Sequence, residues 1–159
     1  MDFKKLFDFC NIVAGRQGDR YWIFPCSYGK VRSDYLTDKL VLENGIAINC
    51  IAFGFIENCF FKYEKYKNYG PVGQTLFNGD EVADIVDDMV ILKSMWQSND
   101  CFSKQLSENY LPAFQDIKLD FIKNNFLEIR QHFLLFLDRF LAYLNNIINN
   151  KQYLCVDGL

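Results

Sequence analysis

The chain has 159 residues, half of them apolar and 17% aromatic, including sixteen Phe and nine Tyr, which is enough for one core and thin for two. A net charge of −3 and a pI of about 5.1 argue against the broad basic face that nucleic-acid binders use to displace counterions. The N-terminus, Met-Asp-Phe-Lys-Lys-Leu, mixes charges into its apolar residues, unlike a secretion signal, and the longest uncharged apolar run, 45–56, is shorter than a membrane span. A single domain over 1–159, soluble and cytoplasmic, with no nucleic-acid or membrane partner, is therefore expected.

In chain order, Phe3, Leu6, Phe7, Cys10 and Val13 recur at helical spacing and predict a helix over 2–14, closed by Gly15. Residues 15–32 are rich in glycine around Tyr21-Trp22-Ile23-Phe24, an apolar run too isolated to form a sheet by itself, and read as a loop that tucks aromatics into the core. Ser33-Asp34 offers a helix start and Asn44-Gly45 a stop. Asn-Gly also signals a hairpin pairing 39–43 with 46–53. The stripe Ile48, Ala52, Phe55, Ile56, Cys59, Phe60, Tyr63 and Tyr66 favours a second helix instead.

Tyr69-Gly70-Pro71-Val72-Gly73 breaks the chain, and Asn78-Gly79-Asp80 caps a helix that runs to about Gln97 with Val82, Ile85, Val86, Met89, Leu92 and Trp96 apolar. A short helix over 102–111 precedes Pro112. From Leu119 an apolar seam through Ile122, Phe126, Ile129, Phe133, Phe136, Phe140, Tyr143 and Ile147 marks a long amphipathic helix over 115–149. At about 1.5 Å per residue it would outrun a domain of this size, so it must bend near Asn124-Asn125 or project an end suited to dimerisation. The fold class expected is mainly α, an irregular bundle of five to six helices. The alternative is α+β with a small antiparallel meander in residues 20–66.

No catalytic constellation stands out. The sole histidine, His132, falls mid-helix beside the apolar seam, four residues after Glu128, a spacing that serves helix stability as well as chemistry. The six cysteines contain no Cys-x-x-Cys pair, and with one histidine they cannot supply the usual zinc spacings, so no metal or cofactor is expected. Without a secretion signal they read as free thiols.

The acids Asp80, Glu81, Asp84, Asp87 and Asp88 cluster early in their helix, with Glu81, Asp84 and Asp88 on one face. Such a cluster complements the helix macrodipole, offers a basic protein a docking face, or holds a divalent cation. Lys62, Lys65 and Lys67 alternate with Tyr63, Tyr66 and Tyr69 around Glu64, a pattern better suited to a solvated helix end than to base stacking.

The acidic run 80–88, the three tyrosines and the lack of catalytic parts resemble the immunity proteins of bacterial contact-dependent inhibition and related polymorphic toxin systems. That resemblance implies a cytoplasmic inhibitor, not an enzyme, which forms a tight one-to-one complex with a basic toxin domain, often a nuclease. No family residue carries over; because an acidic patch steers a basic partner and tyrosines make low-entropy hot spots, the expected partner contacts are Glu81, Asp84, Asp87, Asp88, Tyr63, Tyr66 and Tyr69. Two other classes stay open: a helical enzyme or ligand-binding domain with a phenylalanine-lined pocket, and a regulator that homodimerises through its last helix.

Overall fold

A computed structural model describes residues 1–12, 20–27, 37–69, 73–108 and 119–158, with the side chain of Tyr69 outside that set. The fold is α+β, which overturns the mainly helical bundle: eight α-helices and a five-stranded antiparallel sheet lie among the described residues. The strands are β1 (Cys10–Asn11), β2 (Arg20–Cys26), β3 (Ile46–Asn49), β4 (Gln74–Phe77) and β5 (Tyr153–Asp157), in the spatial order β1-β3-β2-β5-β4. The smaller meander over 20–66 falls short as well, because β1, β4 and β5 lie outside it.

The isolated aromatic run at 21–24 is the middle of the central strand, not a loop. It pairs on one side with β3, Tyr21 with Ile48 and Trp22 with Ala47, and on the other with a strand from the far end of the chain, Ile23 with Val156 and Phe24 with Cys155. Pro25 is tolerated there because the β2–β3 ladder ends at Ile23 with Ile46, so among the described residues that side of β2 has no ladder at Pro25 to break.

Strand β3 displaces the helix expected from residue 48. Ala47 and Ile48 are both buried, on opposite faces, so the strand shows the unbroken apolar run of a two-sided core element rather than alternation. The 39–43/46–53 hairpin does not form either, since α2 occupies Lys39–Asn44, capped by Asp38. The Ser33-Asp34 start lies outside the described residues. The rest of the stripe divides into α3 (Cys50–Gly54, capped by Asn49), a 3-10 turn (Glu57–Cys59) and α4 (Glu64–Tyr69). Phe53, Phe55, Ile56, Cys59 and Phe60 are all buried. No single straight helix could bury so wide an arc against one layer. The first helix is likewise shorter than expected, α1 being Phe3–Leu6 with β1 beginning at Cys10.

Helix α5 (Gly79–Ser98) matches its sequence signals: Asn78 and Glu81 form a reciprocal capping box. Helix α6 is Lys104–Glu108, and residues 109–112 of the expected helix and its stop lie outside the described residues. The long C-terminal helix is broken at Asn125 into α7 (Leu119–Asn124) and α8 (Phe126–Asn149), the first of the two outcomes its length left open; residues 115–118 of the expected helix lie outside the described residues. At about 1.5 Å per residue α8 is about 36 Å long. It ends in a Schellman turn: Gln152 N–H donates to Ile147 C=O and Lys151 N–H to Ile148 C=O, with Lys151 at φ 54°. That turn aims the chain directly into β5.

Helices α5 and α8 pack on each other and on one face of the sheet, where Ile23, Ile46, Ile48, Leu154 and Val156 meet the buried side of both helices. Phe133 sits among Trp96, Phe55 and Phe7 at centroid distances of 4.7, 5.3 and 5.5 Å. The Tyr143 hydroxyl donates to the Ile23 carbonyl, pinning α8 to the central strand. A second cluster covers the other face, with Ile12, Phe24, Cys26, Val41 and Cys155. The apolar seam of α8, from Phe126 to Ile147, is spent inside the domain, and the exposed large apolar residues it leaves are Leu127 and Leu135. Among the described residues no helix is long and apolar enough to cross a membrane.

Candidate functional site

The acids of α5 divide into two groups that sequence spacing alone had joined. Glu81 and Asp88 face the 3-10 turn and α4 and are already occupied. Lys65 Nζ lies 2.6 Å from Glu81 Oε2, and Lys62 Nζ lies 2.8 Å from Asp88 Oδ2. Lys62 also donates to the Asp84 backbone carbonyl, and the Tyr63 hydroxyl to that of Glu81. Lys65 lies 4.9 Å from the centre of the Phe77 ring. These contacts fasten the 60s segment along one flank of α5, and each part-exposed ion pair stabilises by at most about 1 kcal/mol.

Asp80, Asp84 and Asp87 point elsewhere. With Ile91 they recur at i, i+4, i+7 and i+11, one line along the helix, opposite the buried Val82, Ile85, Met89, Leu92 and Trp96. All three are exposed and make no ion pair among the described residues. Ile91 and its neighbour Val90 are 60% and 48% exposed. A shallow hollow of about 230 Å³ lined by Asn58, Cys59, Asp88, Ile91, Leu92 and Met95 adjoins this line. The arrangement is a row of like charges running into an apolar patch.

The three tyrosines do not share this surface. Tyr63 is half-buried against α5, Tyr66 is buried, and the Tyr69 side chain lies outside the described residues. Tyr66 is turned inward by a buried acid. Glu57 is 3% exposed, and its Oε1 accepts hydrogen bonds from Tyr66 at 2.8 Å and Tyr21 at 3.2 Å. Burial pushes its carboxyl above the usual glutamate range, while the two hydroxyl bonds pull the other way. Burial likewise raises both tyrosines. Because both donors converge on one oxygen inside an aromatic box, with Tyr21 stacked on Phe53 at 4.0 Å, the triad is a cross-brace between β2, the 3-10 turn and α4. Its one sequence signal was a lone acid within the apolar run 45–61.

His132 is half-buried on α8 and is not hydrogen-bonded to Glu128; it borders a hollow with Lys4, Phe7 and Arg139. All six cysteines are free thiols. Cys59 is buried and its thiol is pushed up to about 12, chiefly by burial. Among the described residues no three His, Cys, Asp or Glu side chains converge as a metal site. Comparison of the whole chain with protein-family models, with curated proteins and with solved structures returns no match.

Proposed function

We propose that this protein is a binding domain that docks a basic protein partner on the outward face of α5. In the immunity-protein reading, that partner is a toxin domain held in a one-to-one complex in the cytoplasm. The observation that carries the reading is the row Asp80, Asp84 and Asp87, unpaired among the described residues and continuous with exposed Ile91 and Val90. Like charges at i, i+4 cost the free helix stability, and a basic partner relieves that cost. The charges speed encounter, while the apolar end supplies area that excludes water. Glu81 and Asp88 contribute through their lysine pairs, and Tyr63 borders the same flank. Tyr66 supports the flank from beneath.

The test is calorimetric titration against a basic toxin domain, taken from the neighbouring reading frame where that frame encodes a large secreted toxin. The double reversal Asp84→Lys/Asp87→Lys should weaken the complex at least about tenfold and flatten its salt dependence. Unchanged affinity in the reversal removes the site, and no complex with the unaltered chain removes the reading.

A further inference from the structure

A second hollow, of about 440 Å³, lies between α1 and the middle of α8 and shares no residue with the α5 acidic row. Its size is that of a small-molecule site rather than of a protein interface. His132, Leu135, Phe136 and Arg139 line it from α8 at i, i+3, i+4 and i+7, while Lys4 and Phe7 line it from α1 and its C-cap. Phe7 and Phe136 are buried rings that form an apolar floor, and Leu135 stands 57% exposed beside them.

The charges around this floor are unequal. Asp8 is bound to Arg139 at 2.6 Å, and that guanidinium lies 4.2 Å from the centre of the Phe9 ring. Asp138 is bound to Lys93 at 2.5 Å. Both acids of the hollow are thus neutralised, while Lys4 and His132 have no hydrogen-bond or ion-pair partner among the described residues. One permanent cation without a counter-ion, next to an apolar floor with one exposed leucine, fits a monoanion carrying a short apolar body.

We infer that the α1–α8 hollow binds a small organic monocarboxylate, its carboxylate at Lys4 and His132 and its apolar tail over Leu135, Phe136 and Phe7. The ligand covers Leu135 and gives Lys4 its counter-ion.

The probe is sodium octanoate, titrated into isotopically labelled protein and followed by amide chemical shifts, with octylammonium chloride as the charge-reversed isostere. Saturable millimolar shifts confined to residues 4–8 and 132–139 are expected. Affinity should fall about fivefold or more in Lys4→Glu, an exposed position that leaves the fold intact, and for octylammonium. Absence of saturation, shifts that map elsewhere, equal binding of octylammonium, or full affinity in Lys4→Glu each overturns the inference.

Discussion

Replacing Glu57 by glutamine tests the buried cross-brace and separates its charge from its shape. The wild-type carboxyl is held above the ordinary glutamate range by burial. A group whose folded-state pKa is raised contributes stability that is fully present below its unfolded value, near pH 4.3, and is lost as pH rises through the folded value. Across that window the wild type should lose up to about 1.4 kcal/mol per pH unit relative to Glu57→Gln, because the unfolded chain has released a proton that the folded chain still holds. The amide oxygen can still accept from Tyr66 and Tyr21, whose bonds are 2.8 and 3.2 Å long, so the variant should fold. Tyr66→Phe gives the complementary magnitude. It removes one bond but leaves Tyr21 on the same oxygen and the ring in place, so the expected loss is about 1–2 kcal/mol rather than the full penalty of an orphaned buried group. Urea unfolding of the three proteins at intervals from pH 4 to pH 8 reads both effects. Parallel stability profiles for wild type and Glu57→Gln would refute the buried, raised carboxyl.

Three further outcomes follow from local geometry. A Cβ at Gly45 would stand 2.5 Å from the Val41 carbonyl oxygen and 3.2 Å from Ile12, so Gly45→Ala should cost about 1–3 kcal/mol in chemical unfolding and loosen α2 from β1. Lys151 holds a left-handed conformation, φ 54°, in the Schellman turn, so Lys151→Gly should raise stability by about 0.5–1 kcal/mol, seen as a higher melting temperature. Thiol labelling of the native protein near pH 8, followed by mass spectrometry, should modify exposed Cys101 first and half-buried Cys10 next. Buried Cys50, Cys59 and Cys155 should react only on unfolding.

The sequence by itself determined what is local. Asn78 and Glu81 cap α5 through contacts three residues apart, and its apolar spacing specified the buried side. These signals reside within one element and survive any arrangement of the others. Tertiary structure alone decided the sheet. The 21–24 run looked too isolated to pair because one partner, β3, reads as part of a helical stripe and the other, β5, is at the far end of the chain, where no local pattern reports it. Strand β3 concealed itself by being buried on both faces. The same holds at the candidate site. Helical spacing grouped Glu81, Asp84 and Asp88, but Lys62 and Lys65 arrive from another element to occupy Glu81 and Asp88, leaving Asp80, Asp84 and Asp87 as the outward row. Tyr66 turned inward for an equivalent reason, since Glu57 and Tyr21 meet it only after β2 is threaded through the middle of the sheet. Capping and periodicity are encoded within a few residues, whereas strand pairing and charge compensation depend on which distant segments folding brings together.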